Sequence, residues 1–167
     1  MTNKKEDTNH SISTKEIEGI GGWLRIIGIG VMLSPILAIY TLYQTYFPAI
    51  TDGTFNTIIS SSSEQYTHIL YFTIIEIIIN LLLTAALFYQ LYLFFMQKSL
   101  FPKFFIWMII INLIFIVTDA YLAHLILPNV ELFDEETKSE IRRIVYEGII
   151  WIPYMIRSKR VKNTFIY

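Results

Sequence analysis

The chain has no cysteine and few charged residues for its length. The absence of cysteine excludes disulfides, thiolate metal sites, cysteine nucleophiles and palmitoyl anchors. Charged residues form 16% of the 167-residue chain, whereas hydrophobic residues form 54%. A soluble domain of this size keeps much of its surface in water, so this balance indicates that lipid is part of the solvent. With a formal net charge of −1 and no basic face, the chain lacks the pattern typical of nucleic-acid binding.

Long apolar runs are the most prominent feature that is present. A helix that crosses a bilayer needs about 20 apolar residues, because each residue rises about 1.5 Å and the hydrocarbon core is roughly 30 Å thick. Apolar stretches separated by short polar connections meet this length or come near it. They predict an all-α integral membrane protein with four transmembrane helices, over about residues 24–43, 69–96, 104–127 and 135–157.

The fourth stretch is the least regular. Its apolar part, from Ile144 to Ile156, is too short to cross and contains Glu147 and Pro153. A helix that begins at Glu135 would be long enough, and its acidic first turn would match the helix dipole. The outer third of this helix would then lie at the headgroups. The alternative is an interfacial helix that does not cross, which would leave the C-terminus outside.

The positive charges predict the orientation. Lys and Arg near the ends of spans hold those ends on the cytoplasmic side, so both termini are predicted to be cytoplasmic. Residues 1–18 are predicted to be a disordered tail, 19–157 the transmembrane domain and 158–167 a basic tail. This basic tail would either anchor the topology and attract anionic lipid or dock a partner. The residues expected to set the topology and to contact lipid or a partner are Arg25, Lys98, Lys103, Arg157, Lys159, Arg160 and Lys162.

Small residues recur along one face of the first predicted helix. Gly30, Ser34 and Ala38 are spaced four residues apart, and small side chains let another backbone come close in lipid. We therefore expect this face to pack against another helix. Pro35 frees the carbonyl of Val31 and is expected to kink the helix. Three further prolines are expected to mark helix ends: Pro48, Pro102 and Pro128.

Polar side chains inside the spans are the candidates for chemistry, because a charge in mid-bilayer costs roughly 2.5–3.5 kcal/mol. Glu76 and Asn80 lie one turn apart on the second helix, and Asn112 and Asp119 give the third helix a matching face. Glu147 lies in the fourth. The sequence therefore predicts a polar seam between helices. Three roles stay open for it: hydrogen bonds that hold helices together, binding of a proton or cation for transport, and a part in sensing or scaffolding.

Catalytic and metal sites have little support in the sequence. No serine or pair of aspartates lies with a base at comparable depth in the spans, so no catalytic residue and no cofactor is predicted. His68, His124 and Glu64 fall near the predicted outer surface. Histidines at an interface are more often solvated or hydrogen-bonded than bound to metal, so no metal site is predicted.

Both ends of the apolar region carry a resemblance to a known family. Residues 19–24 read Gly-Ile-Gly-Gly-Trp-Leu, Ser34-Pro35 lies in the first helix, and residues 151–165 read Trp-Ile-Pro-Tyr-Met-Ile-Arg-Ser-Lys-Arg-Val-Lys-Asn-Thr-Phe. In these features the chain resembles the domain of unknown function family 2569, a family of bacterial membrane proteins. The resemblance implies four transmembrane helices, a basic C-terminal tail and a bacterial plasma-membrane location. It implies no activity, ligand or catalytic residue.

These patterns lead to a functional prediction. We predict a multi-pass protein of the bacterial plasma membrane whose partners are membrane lipids and, as further options, another membrane protein or a second copy, with no nucleic acid. Its predicted role is that of a non-catalytic accessory, sensing or scaffolding component. The alternative is a proton- or cation-coupled transport or channel subunit that uses the intramembrane acids.

Overall fold

The computed structural model describes residues 19–61, 63–127 and 131–167, apart from the side chain of Gln65. The predicted tail at 1–18 and Pro128 lie outside these residues. The described residues form only α-helices and no strand, which confirms the all-α prediction. The helices are α1 (Trp23–Thr51), α2 (Thr54–Ser60), α3 (Glu64–Phe95), α4 (Phe101–Ile126), α5 (Glu135–Arg157) and α6 (Lys159–Thr164).

Three of these helices are long and apolar enough to cross a membrane. They are α1, the part of α3 from Tyr66 to Phe95, and α4. α5 is not among them, although it begins at Glu135 and ends at Arg157 as predicted. Charged residues fill the first half of α5 and leave it amphipathic.

α1 is longer than predicted, because it continues to Thr51 instead of ending near residue 43. Pro48 therefore lies inside the helix and not at its end. The hydroxyl of Thr51 donates to the carbonyl oxygens of Phe47 and Pro48, both at 3.1 Å, and the amide of Asp52 donates to Pro48 at 2.9 Å. Pro48 lacks the N–H that would bond to the carbonyl of Gln44, and the helix nevertheless continues past it to Thr51. Pro102 lies in the first turn of α4, where proline is tolerated.

The long helices pack in chain order. α1 packs against α3, α3 against α4, and α4 against α5, whereas α1 makes only sparse contacts with α4 and α5. We call the end that holds the start of α1, the end of α3 and residues 157–167 the basic end. The opposite end, which holds α2 and the start of α5, is the acidic end. Because α1 makes few contacts with α4 and α5, space is left inside the bundle.

The hydrophobic core lies at the basic end. Phe94 and Phe101 are almost fully buried, with ring centroids 5.1 Å apart, and Phe165 stacks on Phe101 at 4.5 Å. Leu24 and Val161 complete this centre, together with other apolar residues of α1, α3, α4 and α5. Aromatic rings at these distances attract one another beyond the area they bury. The helices are therefore held most firmly at this end.

The C-terminal segment is part of this core. The sequence treated 158–167 as a basic tail, whereas the structure folds Lys159–Thr164 into α6. Val161, Thr164 and Phe165 are buried, and their spacing of three and four residues places them on one helical face. The amide of Tyr167 donates to the carbonyl of residue 97, at 3.4 Å, and the carbonyl of Tyr167 accepts from the amide of residue 99. The basic side chains thus stand on a segment that is packed against the bundle.

Candidate functional site

A cavity of about 860 Å³ occupies the space between α1, α3, α4 and α5. The polar faces predicted on α3 and α4 line this cavity, and so does the small-residue face predicted on α1. The structure therefore brings together residues of four helices that the sequence pattern assigned to a polar seam and to helix packing. They are Glu76, Asn80, Asn112, Asp119 and Glu147, with Gly30, Ser34 and Ala38.

A hydrogen-bonded network fixes the polar wall formed by α1 and α3. The hydroxyl of Tyr46 donates to Oε1 of Glu76 at 2.7 Å. The side-chain amide of Asn80 donates to the hydroxyl of Tyr46 at 3.3 Å and to the main-chain oxygen of Glu76 at 3.0 Å. The hydroxyl of Thr84 donates to the main-chain oxygen of Asn80 at 2.8 Å. Interhelical bonds of this kind help to fix one helix arrangement in lipid.

The sequence did not identify Tyr46 as part of the site. It placed Tyr46 beyond the end of the first helix, among the aromatic residues expected at a membrane interface. Because α1 continues to Thr51, this tyrosine lies inside a membrane-spanning helix. A buried tyrosine hydroxyl usually has a hydrogen-bond partner, and Glu76 provides one. Reading the helix through Pro48 would have been needed to find this pair.

Two further acids face the cavity from α4 and α5. Asp119 is half-buried and lies within electrostatic range of Glu76. Glu147 is also half-buried and interacts electrostatically with Arg143, one turn earlier on α5. Within the described ranges, no three acids or histidines come close enough to hold a metal ion. The carboxylates are therefore spread around the cavity wall.

Gln90 is a second residue that the sequence did not identify. It lines the cavity near the basic end and is only 4% exposed. Its Oε1 has no hydrogen-bond partner among the described residues. A buried acceptor without a donor is costly. Gln90 is a polar residue in an apolar run, and its position 14 residues after Glu76 places it on the same helical face, a signal that could have identified it.

Small residues of α1 line the cavity, and the face at Gly30 is open there. No heavy atom outside α1 lies within 4 Å of the position that a Cβ of Gly30 would occupy. The close approach is at Gly28, where such a Cβ would lie 2.8 Å from the ring of Phe94. The hydroxyl of Ser34 donates at 3.1 Å to the carbonyl of Val31, which Pro35 leaves without its usual partner.

The cavity lining reaches the acidic end, and we call this part of the lining the mouth. Asp134 caps α5 by accepting a hydrogen bond from the amide of Thr137 at 2.7 Å. This bond holds the pKa of Asp134 below its ordinary value. Arg143 lies 3.9 Å from Glu140 one turn further along the helix. The residues that line the mouth are mostly acidic: Glu131, Asp134, Thr137, Glu140 and Arg143.

Aromatic side chains line the cavity towards the basic end. Phe105 and Trp151 are lining residues, and Phe105 also belongs to the hydrophobic core. The rings of Trp23 and Trp151 meet edge to face with centroids 6.2 Å apart, which joins the start of α1 to the end of α5. The lining is therefore polar at the mouth and largely apolar at its other end, which we call the floor.

The basic residues predicted to set the topology all lie at the basic end, outside the cavity lining. Nε of Arg25 donates to the carbonyl of Ile20 at 3.4 Å. The guanidinium of Arg160 lies against Gly21, where a Cβ would collide with it. No acidic residue lies in 151–167. The full set is Arg25, Lys98, Lys103, Arg157, Lys159, Arg160 and Lys162.

Three apolar helices and a polar cavity between them define this chain as a multi-pass membrane protein. The chain belongs to the family described as protein of unknown function (DUF2569), and the match covers residues 17–166. No curated protein and no solved structure matches it.

The family match also has a structural counterpart. It includes both segments on which the resemblance rests, and the structure places them side by side. The hydroxyl of Thr164 donates to the carbonyl of Gly19 at 3.2 Å. The glycine loop and the basic C-terminal segment therefore form one structural unit at the basic end.

Proposed function

We propose that α5 is a fourth membrane crossing and that both termini lie in the cytoplasm of a bacterial cell, with the protein in the plasma membrane. α5 packs along α4, and its second half, from Ile144 to Arg157, is largely apolar. The basic residues gather at one end of the bundle, as expected for a cytoplasmic face. The acidic end would then face the exterior.

Single introduced cysteines test this orientation, because the chain has none of its own. Asn56 lies in α2 at the acidic end, and Leu100 lies between α3 and α4 at the basic end. In intact cells, an impermeant thiol reagent should label Asn56→Cys and leave Leu100→Cys unlabelled until the cells are opened. Labelling of Leu100→Cys from outside would contradict the orientation.

We further propose that the protein is a non-catalytic accessory component that senses or binds a solute in its cavity. The observation that carries this proposal is the shape of the cavity: it gathers the intramembrane acids of three helices and ends against the aromatic core. We infer that the cavity opens at the mouth and is closed at the floor, which would allow binding from one side of the membrane. A continuous pore would need a second opening, which the packing of Phe94, Phe101 and Phe165 fills.

A second candidate function is a proton- or cation-coupled transport or channel subunit. The observation that favours it is the electrostatic proximity of Asp119 and Glu76 in the lining of one cavity. Intramembrane acids in such a position are typical of ion pathways. If this candidate were correct, binding would be one step of a transport cycle in which the basic end opens.

Ion flux in reconstituted vesicles decides between the two functions. The binding component should carry no proton or sodium flux above that of empty vesicles. A flux that is lost in Glu76→Gln and Asp119→Asn, and retained in Glu136→Gln, would establish the transport candidate. Glu136 is the matched control, since it is exposed on α5 and lies outside the cavity lining.

A further inference from the structure

We propose that the cavity binds a protonated primary amine with an apolar body, which enters from the acidic end. This inference rests on the proposed binding function, because it assigns the chemical class of the ligand. Three observations support the proposal. The charged residues of the lining are mostly acidic, the hydrogen-bond donors of the network on α1 and α3 are already engaged within the protein, and the cavity has the size of a small-molecule site.

The charge of the lining favours a cation. Arg143 is the one basic residue that the described part of the chain contributes to the lining. Glu76 and Asp119 lie within electrostatic range of each other in one lining, and a cation bound near both would be attracted by their carboxylates. The acids that line the cavity and its mouth are Glu76, Asp119, Glu131, Asp134, Glu140 and Glu147.

The hydrogen bonds on the wall of α1 and α3 favour a ligand that donates. The hydroxyls of Tyr46 and Thr84 already donate within the protein. The side-chain amide of Asn80 donates to two acceptors of the same network. Each carboxylate oxygen has two lone pairs and each side-chain carbonyl can accept, so the capacity that remains in this network is acceptor capacity. A ligand with N–H groups can use it.

The dimensions and the apolar lining exclude a bare metal ion as the best ligand. The volume of about 860 Å³ lies in the range of small-molecule sites, roughly 300–1,000 Å³. No three potential ligands among the described residues converge on one point. Phe105, Phe115 and Trp151 also line the space, and aromatic faces accommodate both an apolar body and a cationic group.

Titration with matched ligands tests the proposal without changing the protein. The full chain in lipid nanodiscs, in amine-free buffer, is titrated with phenethylammonium, its N,N,N-trimethyl analogue and 2-phenylethanol in a calorimeter. We expect saturable binding of phenethylammonium and at least tenfold weaker binding of the other two. Equal affinity for the trimethyl analogue would overturn the requirement for N–H donors. No saturable binding of phenethylammonium, benzylammonium or hexylammonium would overturn the ligand class.

Variants locate the binding site. Glu76→Gln and Asp119→Asn should each weaken phenethylammonium binding at least tenfold, whereas the exposed Glu136→Gln should bind as the wild type does. Unchanged affinity in folded Glu76→Gln and Asp119→Asn would overturn the proposal. If either variant does not fold, the ligand series decides alone. Loss of amine binding leaves the thiol-labelling and flux results intact, so failure here is distinguishable from failure of the proposed function.

Discussion

The basic end of the bundle and the region around the cavity are built from the same long helices, but side chains fill the space between helices only at the basic end. At the basic end, Phe94, Phe101 and Phe165 fill the space between helices, and Gly28 allows the ring of Phe94 to approach α1. On the cavity face of α1, two residues further along, no heavy atom outside α1 lies within 4 Å of the position that a Cβ of Gly30 would occupy. The chain therefore concentrates apolar packing where the termini meet and leaves its polar groups around an open space. We therefore assign stability mainly to the basic end and ligand binding to the cavity.

The largest effect should come from truncating the aromatic core. Phe101 has no solvent exposure and touches the rings of Phe94 and Phe165. Phe101→Ala should lower the free energy of unfolding by about 3 kcal/mol, since a cavity replaces the ring. Unfolding in mixed micelles measures this change. The control is Phe88→Ala on α3, because Phe88 is about half exposed. An equal loss in both variants would show that the basic end is not specially packed.

A pair of glycine substitutions should have opposite signs on one helix. Gly28→Ala places a methyl group 2.8 Å from the buried ring of Phe94 and should destabilise the protein by about 1–2 kcal/mol through overpacking. Gly30→Ala meets empty space and should stabilise α1 by roughly 0.5–1 kcal/mol through helix propensity. Melting temperatures of the two variants give the comparison. Destabilisation by Gly30→Ala would mean that its face is packed against another helix.

A smaller effect is expected in the polar wall of the cavity. Tyr46→Phe removes the donor to Glu76 and should cost about 0.6 kcal/mol, as typical interhelical hydrogen bonds do in membranes. Tyr43→Phe, on an exposed tyrosine of the same helix, is the control and should change stability by less. Chemical unfolding of both variants measures the difference. A larger loss of stability in Tyr43→Phe than in Tyr46→Phe would show that the hydrogen bond from Tyr46 to Glu76 does not stabilise the bundle.

The smallest effect is expected at the mouth, where Asp134 caps α5. Asp134→Ala should reduce the hydrogen-exchange protection of the first turn of α5, because Thr137 loses its acceptor. The folded-state pKa of Asp134 is lowered, so the cap contributes above the unfolded carboxyl pKa of about 4 and is lost as the pH falls through the folded value. Wild type and variant should therefore differ at pH 7 and converge in acid. Glu136→Ala is the control, and a persistent difference at low pH would contradict the cap.

Apolar length and spacing allowed most of the fold to be predicted. The limits of α5 agree with the sequence, since Asp134 and the acids after it mark a helix start. The predicted end of α1 was wrong, because Pro48 was taken as a boundary, whereas the helix continues past it to Thr51 in the structure. The sequence treated residues 158–167 as a tail, although the spacing of Val161 and Phe165 is that of a helix face.

The candidate site could be predicted only in part. Charges inside apolar runs are visible in a sequence, and for this reason Glu76 and Asp119 were found. Their meeting in one cavity depends on how far α1 stays from α4 and α5, which no periodicity encodes. Tyr46 could be found only by extending α1 past Pro48. Gln90 could have been found from its spacing, since it shares a helical face with Glu76.

Water accessibility along the bundle tests our inference that the cavity is open at the acidic end and sealed at the basic end. Ala123→Cys, Ala120→Cys and Asn112→Cys follow the cavity lining of α4, while Ile114→Cys and Leu125→Cys are exposed positions outside that lining. Val161→Cys lies in the core beyond the floor.

An impermeant thiol reagent applied from the acidic side should label the three cavity positions, with rates that fall towards Asn112, and should leave positions 114, 125 and 161 unlabelled. Equal labelling of residues 112 and 114, or rapid labelling at 161, would contradict the account.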